Sequence, residues 1–193
     1  MGQAKRRAAE VEKWRSSLSA EEKQIADVAE RLVARFIDPS EATGMCYRLT
    51  YFLHLYILEK GITTTPVIGY VNDGTDDIFM SHAWLEYEGK KTDLTLARPE
   101  RPHLNPPGDI LIQDFPLKRM GKYTYHMTKS AEAVALENDL MKDPRSSGVV
   151  KHKEIEHDAM QKRARSADEM RSFLDSAPDG ITFERLKSII DKG

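Results

Sequence analysis

The chain has 193 residues, of which 40% are hydrophobic and 31% charged, a composition that suits one packed domain with extensions better than two full domains. Its 29 basic and 31 acidic side chains leave a net charge of -2, so no global field draws it to nucleic acid or to an anionic membrane. A single cysteine excludes an intramolecular disulfide and a multi-cysteine zinc site, no His-Glu-x-x-His occurs, and neither a metal nor a cofactor is expected.

Residues 1–18 are charged, with a thin apolar stripe and no apolar run of the kind a secretory signal needs, and read as a loosely docked helix or a tail. No apolar stretch approaches the ~20 residues of a membrane helix. The expectation is a cytoplasmic protein, although a leaderless secreted effector would have the same features. Ser19 and Glu22 form a capping-box pattern. Ile25, Val28, Ala29, Leu32, Val33 and Phe36 follow at helical spacing, predicting an amphipathic helix that ends near Asp38-Pro39. A second helix begins near Met45 and is apolar on most sides, so it belongs in the centre of the domain, with Gly61 as its stop.

The pattern then changes to β. Residues 66–71 are a short run of β-formers before the turn Asn72-Asp73-Gly74, residues 82–87 alternate, and Glu88-Gly89-Lys90 is a tight turn into a strand predicted over 91–96. Residues 97–108 hold four prolines and read as an ordered loop or lid. Two more strands are predicted at 109–112 and 122–127. Helices are predicted over about 129–141, 152–176 and 182–191, with a linker at 144–148 and Thr182 as a cap. The domain organisation is therefore a charged segment (1–18), a core (19–128) and a helical C-terminal extension (129–193) whose charged faces could dock a partner or a second copy.

Three residues carry the chemistry. Cys46 falls in the first turn of the buried helix, where free amides and the helix dipole favour a thiolate and can hold an oxyanion. Gly44, two residues earlier, lets the chain turn sharply and leaves room for substrate. His82, on the strand after the apolar β-run, can take the thiol proton and return it to a leaving group. A hairpin centred on Gly89 brings Asp93 close to His82, where a carboxylate fixes the imidazole tautomer. Thr43, Gly44, Met45 and Trp84 are the substrate-side candidates. Residues 37–45 contain no Gln or Asn, so the oxyanion partner falls to backbone amides, to Thr43 or to a residue from elsewhere. His54 reads as structural, His103 as a solvated loop residue, and His152 and His157 as part of a solvated charged helix.

Gly44-Met45-Cys46, His82-Ala83-Trp84-Leu85-Glu86 with Gly89, and Asp93-Leu94-Thr95 resemble the transglutaminase-like superfamily over about residues 40–97. That resemblance implies an α+β, papain-like core with the cysteine helix packed on a small antiparallel sheet, a Cys-His-Asp triad and thioester chemistry. Cys46-Tyr47-Arg48, Gly61-Ile62, Val67-Ile68-Gly69-Tyr70 and His82-Ala83-Trp84 are also similar to the leader peptidases of lasso-peptide biosynthesis, from which the long helical C-terminal part departs. The implied function is cysteine-dependent acyl transfer on an amide or ester, most simply hydrolysis of a peptide or protein substrate. The alternatives are acyl transfer to an amine, of transglutaminase or acetyltransferase type, and a non-catalytic interaction module on the same fold.

Overall fold

The computed structural model describes residues 2–192, so Met1 and Gly193, the outermost residues of the two predicted extensions, lie outside it. Helix α1 (Gln3–Ser17) buries none of its residues. Two aromatic contacts seat it: the Trp14 ring stacks on Phe115 at 4.5 Å, and the Arg7 guanidinium lies 4.7 Å over the same ring. Helix α2 (Ala20–Leu32) opens with the predicted capping box, in which the Ser19 amide donates to Glu22 Oε2 at 2.7 Å and the Glu22 amide donates to Ser19 Oγ at 3.2 Å. It runs through a π-helical turn (Val33–Ile37) into the short α3 (Asp38–Ser40).

Helix α4 (Cys46–Leu58) buries every residue from Leu49 to Ile57, as its all-round apolar sequence predicts. Gly61, at φ 82°, stops it. The main sheet is antiparallel, with β1 (Thr65–Asn72) between β2 (Met80–Tyr87) and β6 (Thr124–His126), and β3 (Lys90–Thr92) at the far edge beside β2. Ile68, Ala83 and Leu85 of the sheet share one core with Leu49, Phe52, Leu53 and Ile57 of α4. A separate hairpin pairs β4 (Ile110–Ile112) with β5 (Phe115–Lys118).

The C-terminal part forms α5 (Ala131–Leu140), α6 (Ser147–Arg163), α7 (Ala167–Asp175) and α8 (Phe183–Asp191). Leu174, Phe183, Leu186 and Ile190 are fully buried in the same core as α4, so the apolar faces of α7 and α8 are occupied within the chain. On α6, Val149 and Ile155 remain exposed. The architecture is thus α+β, with helices around a small antiparallel sheet, and no described helix is long and apolar enough to cross a membrane.

Four local expectations need correction. The strand predicted over 91–96 ends at Thr92, because the Asp93 side chain accepts from the Thr95 amide at 3.1 Å and turns the chain out of the ladder. Strand β5 was not expected; its turn, Gln113-Asp114, has φ of 51° and 59° without a glycine to announce it. The helix predicted over 152–176 is two helices, parted where Ser166 caps α7 by accepting from the Glu169 amide. The supposed linker at 144–148 instead includes the start of α6 at Ser147.

Candidate active site

The site forms where the N-terminus of α4 meets β2 and the segment after β3. Met45 is the N-cap of α4 and makes no side-chain cap, so Cys46 enters as the first helical residue with the first-turn amides uncapped by any side chain. Gly44 sits at φ 65°, a conformation that costs any other residue about 1–2 kcal/mol. A Cβ there would also lie 2.1 Å from Oε1 of Glu100, whose side chain folds over Gly44 from the proline-rich segment. That segment is tied down by an Arg98–Asp38 ion pair at 3.0 Å and by Tyr123, whose hydroxyl donates to the Pro106 carbonyl at 2.6 Å. Thr43 and Gly44 are exposed, and Met45 and Cys46 are both half-buried against the core.

His82 and Asp93 are buried, at 7% and 2% exposure, and His82 Nε2 lies 2.7 Å from Asp93 Oδ2. The ladder between β2 and β3 pairs Leu85 with Thr92, Glu86 with Lys91 and Tyr87 with Lys90. One more pair in that register would set Asp93 opposite Trp84. Asp93 instead leaves β2 and bridges to Leu111, each amide donating to the other residue's carbonyl at 2.8 Å, and its carboxylate reaches His82 on the diagonal. With Nε2 engaged, Nδ1 is the ring nitrogen left for Cys46. Cys46 lies close enough to the imidazole to favour its protonated form, through its hydrogen-bonding side chain and its charge, though less than Asp93 does. Free enzymes commonly hold such pairs loosely until substrate arrives.

Asp93 is held by more than His82. Tyr125 donates its hydroxyl to Oδ2 at 2.9 Å, and Thr95 donates to Oδ1 from both its amide and its hydroxyl at 3.1 Å. Every lone-pair direction of this buried carboxylate is therefore answered. Burial alone would push Asp93 up, but the imidazolium and these donors outweigh it and hold the carboxyl below its usual range. Burial likewise opposes the charged imidazole, yet the Asp93 carboxylate, with a smaller contribution from Cys46, raises His82 to about 10. Thr95 was legible as part of the Asp-x-Thr pattern. Tyr125 was not, since it comes from a strand 32 residues away in sequence.

Trp84 is not open to a ligand: it is 2% exposed, its Nε1 donates to Glu86 at 2.8 Å, and the Tyr125 ring packs edge-on against it at 5.0 Å. Gly69 makes room for it, since a Cβ there would lie 2.6 Å from the Trp84 ring and 2.5 Å from the His126 carbonyl oxygen. Trp84 thus supports Tyr125, which in turn holds Asp93.

Among the remaining histidines, His54 is buried with Nδ1 2.9 Å from Thr64 Oγ1, and His103 and His152 are exposed. His157 corrects the expectation of a solvated helix: it is 3% exposed and its Nδ1 hydrogen-bonds Ser81 Oγ, which is 2.7 Å from the Tyr47 hydroxyl. Burial holds His157 below the usual imidazole range. No cluster of three or more His, Cys, Asp or Glu side chains suited to a metal ion occurs among the described residues. Neither the cleft along α1 at Arg7, Val11 and Arg15 nor the one at Asp109, Arg119 and Lys122 includes Cys46, His82 or Asp93. No family model, curated protein or solved structure matches the chain.

Proposed function

We propose that the protein is a cysteine-dependent acyl-transfer enzyme with a papain- or transglutaminase-like core, acting as a hydrolase on an amide bond of a peptide or protein. The observation that carries this reading is the buried His82–Asp93 pair at 2.7 Å together with a partly buried cysteine, not sealed in the core, at the first position of an uncapped helix. A cysteine that served only to fill the core would need neither an oriented imidazole nor a fully bonded carboxylate beside it.

In this mechanism the Cys46 thiol gives its proton to His82 Nδ1, and the sulfur attacks the substrate carbonyl carbon. The Cys46 amide, free at the head of α4, donates to the oxygen that becomes negative. The C–N bond breaks, the imidazolium delivers its proton to the departing amine, and a thioester remains on Sγ. Water then attacks the thioester with His82 as base, releasing the acid and restoring the thiol. Asp93 keeps its charge throughout and holds the ring with Nδ1 toward the sulfur.

The test is the pH dependence of Cys46 alkylation by iodoacetamide in the native chain and in His82→Ala. The reading predicts alkylation that stays fast at pH 6 and a loss of that fast phase in the variant. Equal rates at pH 6 in both proteins, at the level of a free thiol, would refute an activated pair. Release of free acid from a peptide amide library supports hydrolysis, whereas turnover only with added amine would assign the enzyme to transfer.

A further inference from the structure

Helix α6 poses a question of its own. Of its 17 residues only His157 and Met160 are buried, too little apolar surface to hold a helix by the hydrophobic effect alone. Both make polar contacts toward the helix that carries the nucleophile. The Met160 carbonyl accepts from the Tyr51 hydroxyl at 2.6 Å, and His157 Nδ1 hydrogen-bonds Ser81 Oγ, itself 2.7 Å from the Tyr47 hydroxyl. Tyr47 follows Cys46 in the chain and Ser81 precedes His82. The chain of three side chains therefore joins α4 to β2 at the residues that adjoin the nucleophile and its base. The His157 ring is itself fixed, stacked on Tyr70 at 4.3 Å with planes 14° apart. Lys129 lies 4.8 Å over the same Tyr70 ring and pairs with Glu137 of α5 and Glu154 of α6.

We propose that His157 is a positioning residue for the Cys46–His82 couple, acting through Ser81 and Tyr47. The inference rests on the triad proposed above. A run in which Tyr47 donates to Ser81, and Ser81 donates to a bare Nδ1 of neutral His157, satisfies both hydroxyls with one acceptor supplied by α6. Consecutive Cα atoms are ~3.8 Å apart, so a displacement of Ser81 or Tyr47 passes directly to His82 or Cys46. Groups facing His157 are Tyr70 on β1, Ser81 on β2, Lys129 before α5, and Glu154 and Asp158 on α6 itself.

The experiment measures Cys46 alkylation against pH in the full chain for the native protein, His82→Ala, His157→Leu and His157→Asn, each checked for fold by circular dichroism. Leu keeps bulk without an acceptor, whereas the Asn amide places a polar atom where Nδ1 was. The expected result is a drop of about 10-fold or more in the His157→Leu rate at pH 6, with the profile moving toward that of a free thiol near pH 8.5. His157→Asn should recover to within about threefold of native, a rescue that bulk packing would not give. If His157→Leu does not fold, Ser81→Ala and Tyr47→Phe cut the same chain and should move the profile in the same direction. A native profile in a folded His157→Leu, or in both substitute variants, overturns the inference while leaving the triad intact. A native protein already at the free-thiol rate at pH 6 defeats the triad first and this inference with it.

Discussion

Asp93→Asn is the sharpest probe of the site because it keeps shape and changes only which atoms donate. Asp93 Oδ1 accepts from the Thr95 amide and hydroxyl, and Oδ2 accepts from His82 Nε2 and the Tyr125 hydroxyl. The single amide oxygen of Asn serves Thr95, whose backbone donor cannot turn away, and this directs the Nδ2 donor at His82 Nε2. The ring must then carry its proton on Nδ1, pointing at the sulfur, so it no longer accepts from the thiol. The native pair holds His82 up from 6.5 to about 10. At ~1.4 kcal/mol per tenfold this is a preference for the imidazolium of up to about 5 kcal/mol, shared between Asp93 and Cys46. With the carboxylate gone, burial alone acts on His82 and favours the neutral ring. A free thiol near 8.5 is ionised to about 1 part in 300 at pH 6. A thiolate held in an ion pair is ionised throughout but less nucleophilic, which offsets part of the gain. The expected loss of iodoacetamide reactivity at pH 6 is therefore about 10- to 100-fold, with little change above pH 9, where any thiol is ionised. Amide turnover should fall further, by up to about 10⁴, since proton delivery to the leaving group fails as well. A folded Asp93→Asn protein that keeps the native alkylation profile at pH 6 would show that Asp93 does not orient His82.

Other perturbations report on separate parts of the structure. Tyr125→Phe removes one donor from Asp93 and should cost about 1 kcal/mol in thermal or urea unfolding; it should also make the acid limb of the alkylation profile begin at higher pH, since Tyr125 helps hold the Asp93 carboxyl low. Gly69→Ala, whose methyl would meet the His126 carbonyl and the Trp84 ring, should destabilise by at least about 1–3 kcal/mol and lower Cys46 reactivity through the loss of support for Tyr125; unchanged melting and reactivity would refute the packing argument. Stability should also depend on pH with a defined sign. His82 is raised, so its contribution is complete below about 6.5 and is lost as the pH climbs toward 10; Asp93 is lowered, so its contribution is present above about 3.8 and is lost below that. Urea titrations of native and His82→Ala protein should therefore differ most between about pH 4 and 6.5, with the difference shrinking in alkali to what the lost packing and the neutral ring's hydrogen bond to Asp93 account for. Deleting residues 145–193 removes the buried Leu174, Phe183, Leu186 and Ile190 and should abolish cooperative unfolding.

What could be read from the sequence was whatever is decided locally. The capping box at Ser19 and Glu22, the all-round apolar face of α4, and the Thr182 cap, which accepts from the Arg185 amide, each depend on residues within a few positions of one another. The position of Cys46 at the head of α4 is local in the same way. The hairpin register was close, yet Asp93 does not remain in the strand, because its own side chain captures the Thr95 amide and the segment then bridges to Leu111. The Gln113-Asp114 turn escaped because both residues adopt positive φ without glycine. His157 departs from the sequence reading for a related reason: the charged neighbours Glu154, Glu156 and Asp158 suggest a solvated face, and it is the approach of β1 and β2, distant in sequence, that buries the ring.

The division between local and distant contributions has a mechanistic consequence. On the proposed mechanism, the partly buried Cys46 is prepared as a nucleophile by its own helix, with a glycine turn before it and uncapped amides around it. The orientation of His82 is prepared by parts of the chain far apart in sequence: Asp93 and Thr95 after β3, Leu111 on β4, Tyr125 on β6 and, beneath them, Trp84 on β2. Contacts of that kind form only when the fold is complete, because loop closure must precede them. If the proposed mechanism holds, a partly folded chain has Cys46 on its helix without His82 beside it, and its thiol should react as an ordinary one. Reactivity of Cys46 at pH 6 should consequently disappear with, or before, the global unfolding transition as urea is raised, and never outlast it. A thiol that stayed fast at pH 6 beyond the unfolding transition would refute an activation that depends on the folded arrangement of α4, His82 and Asp93.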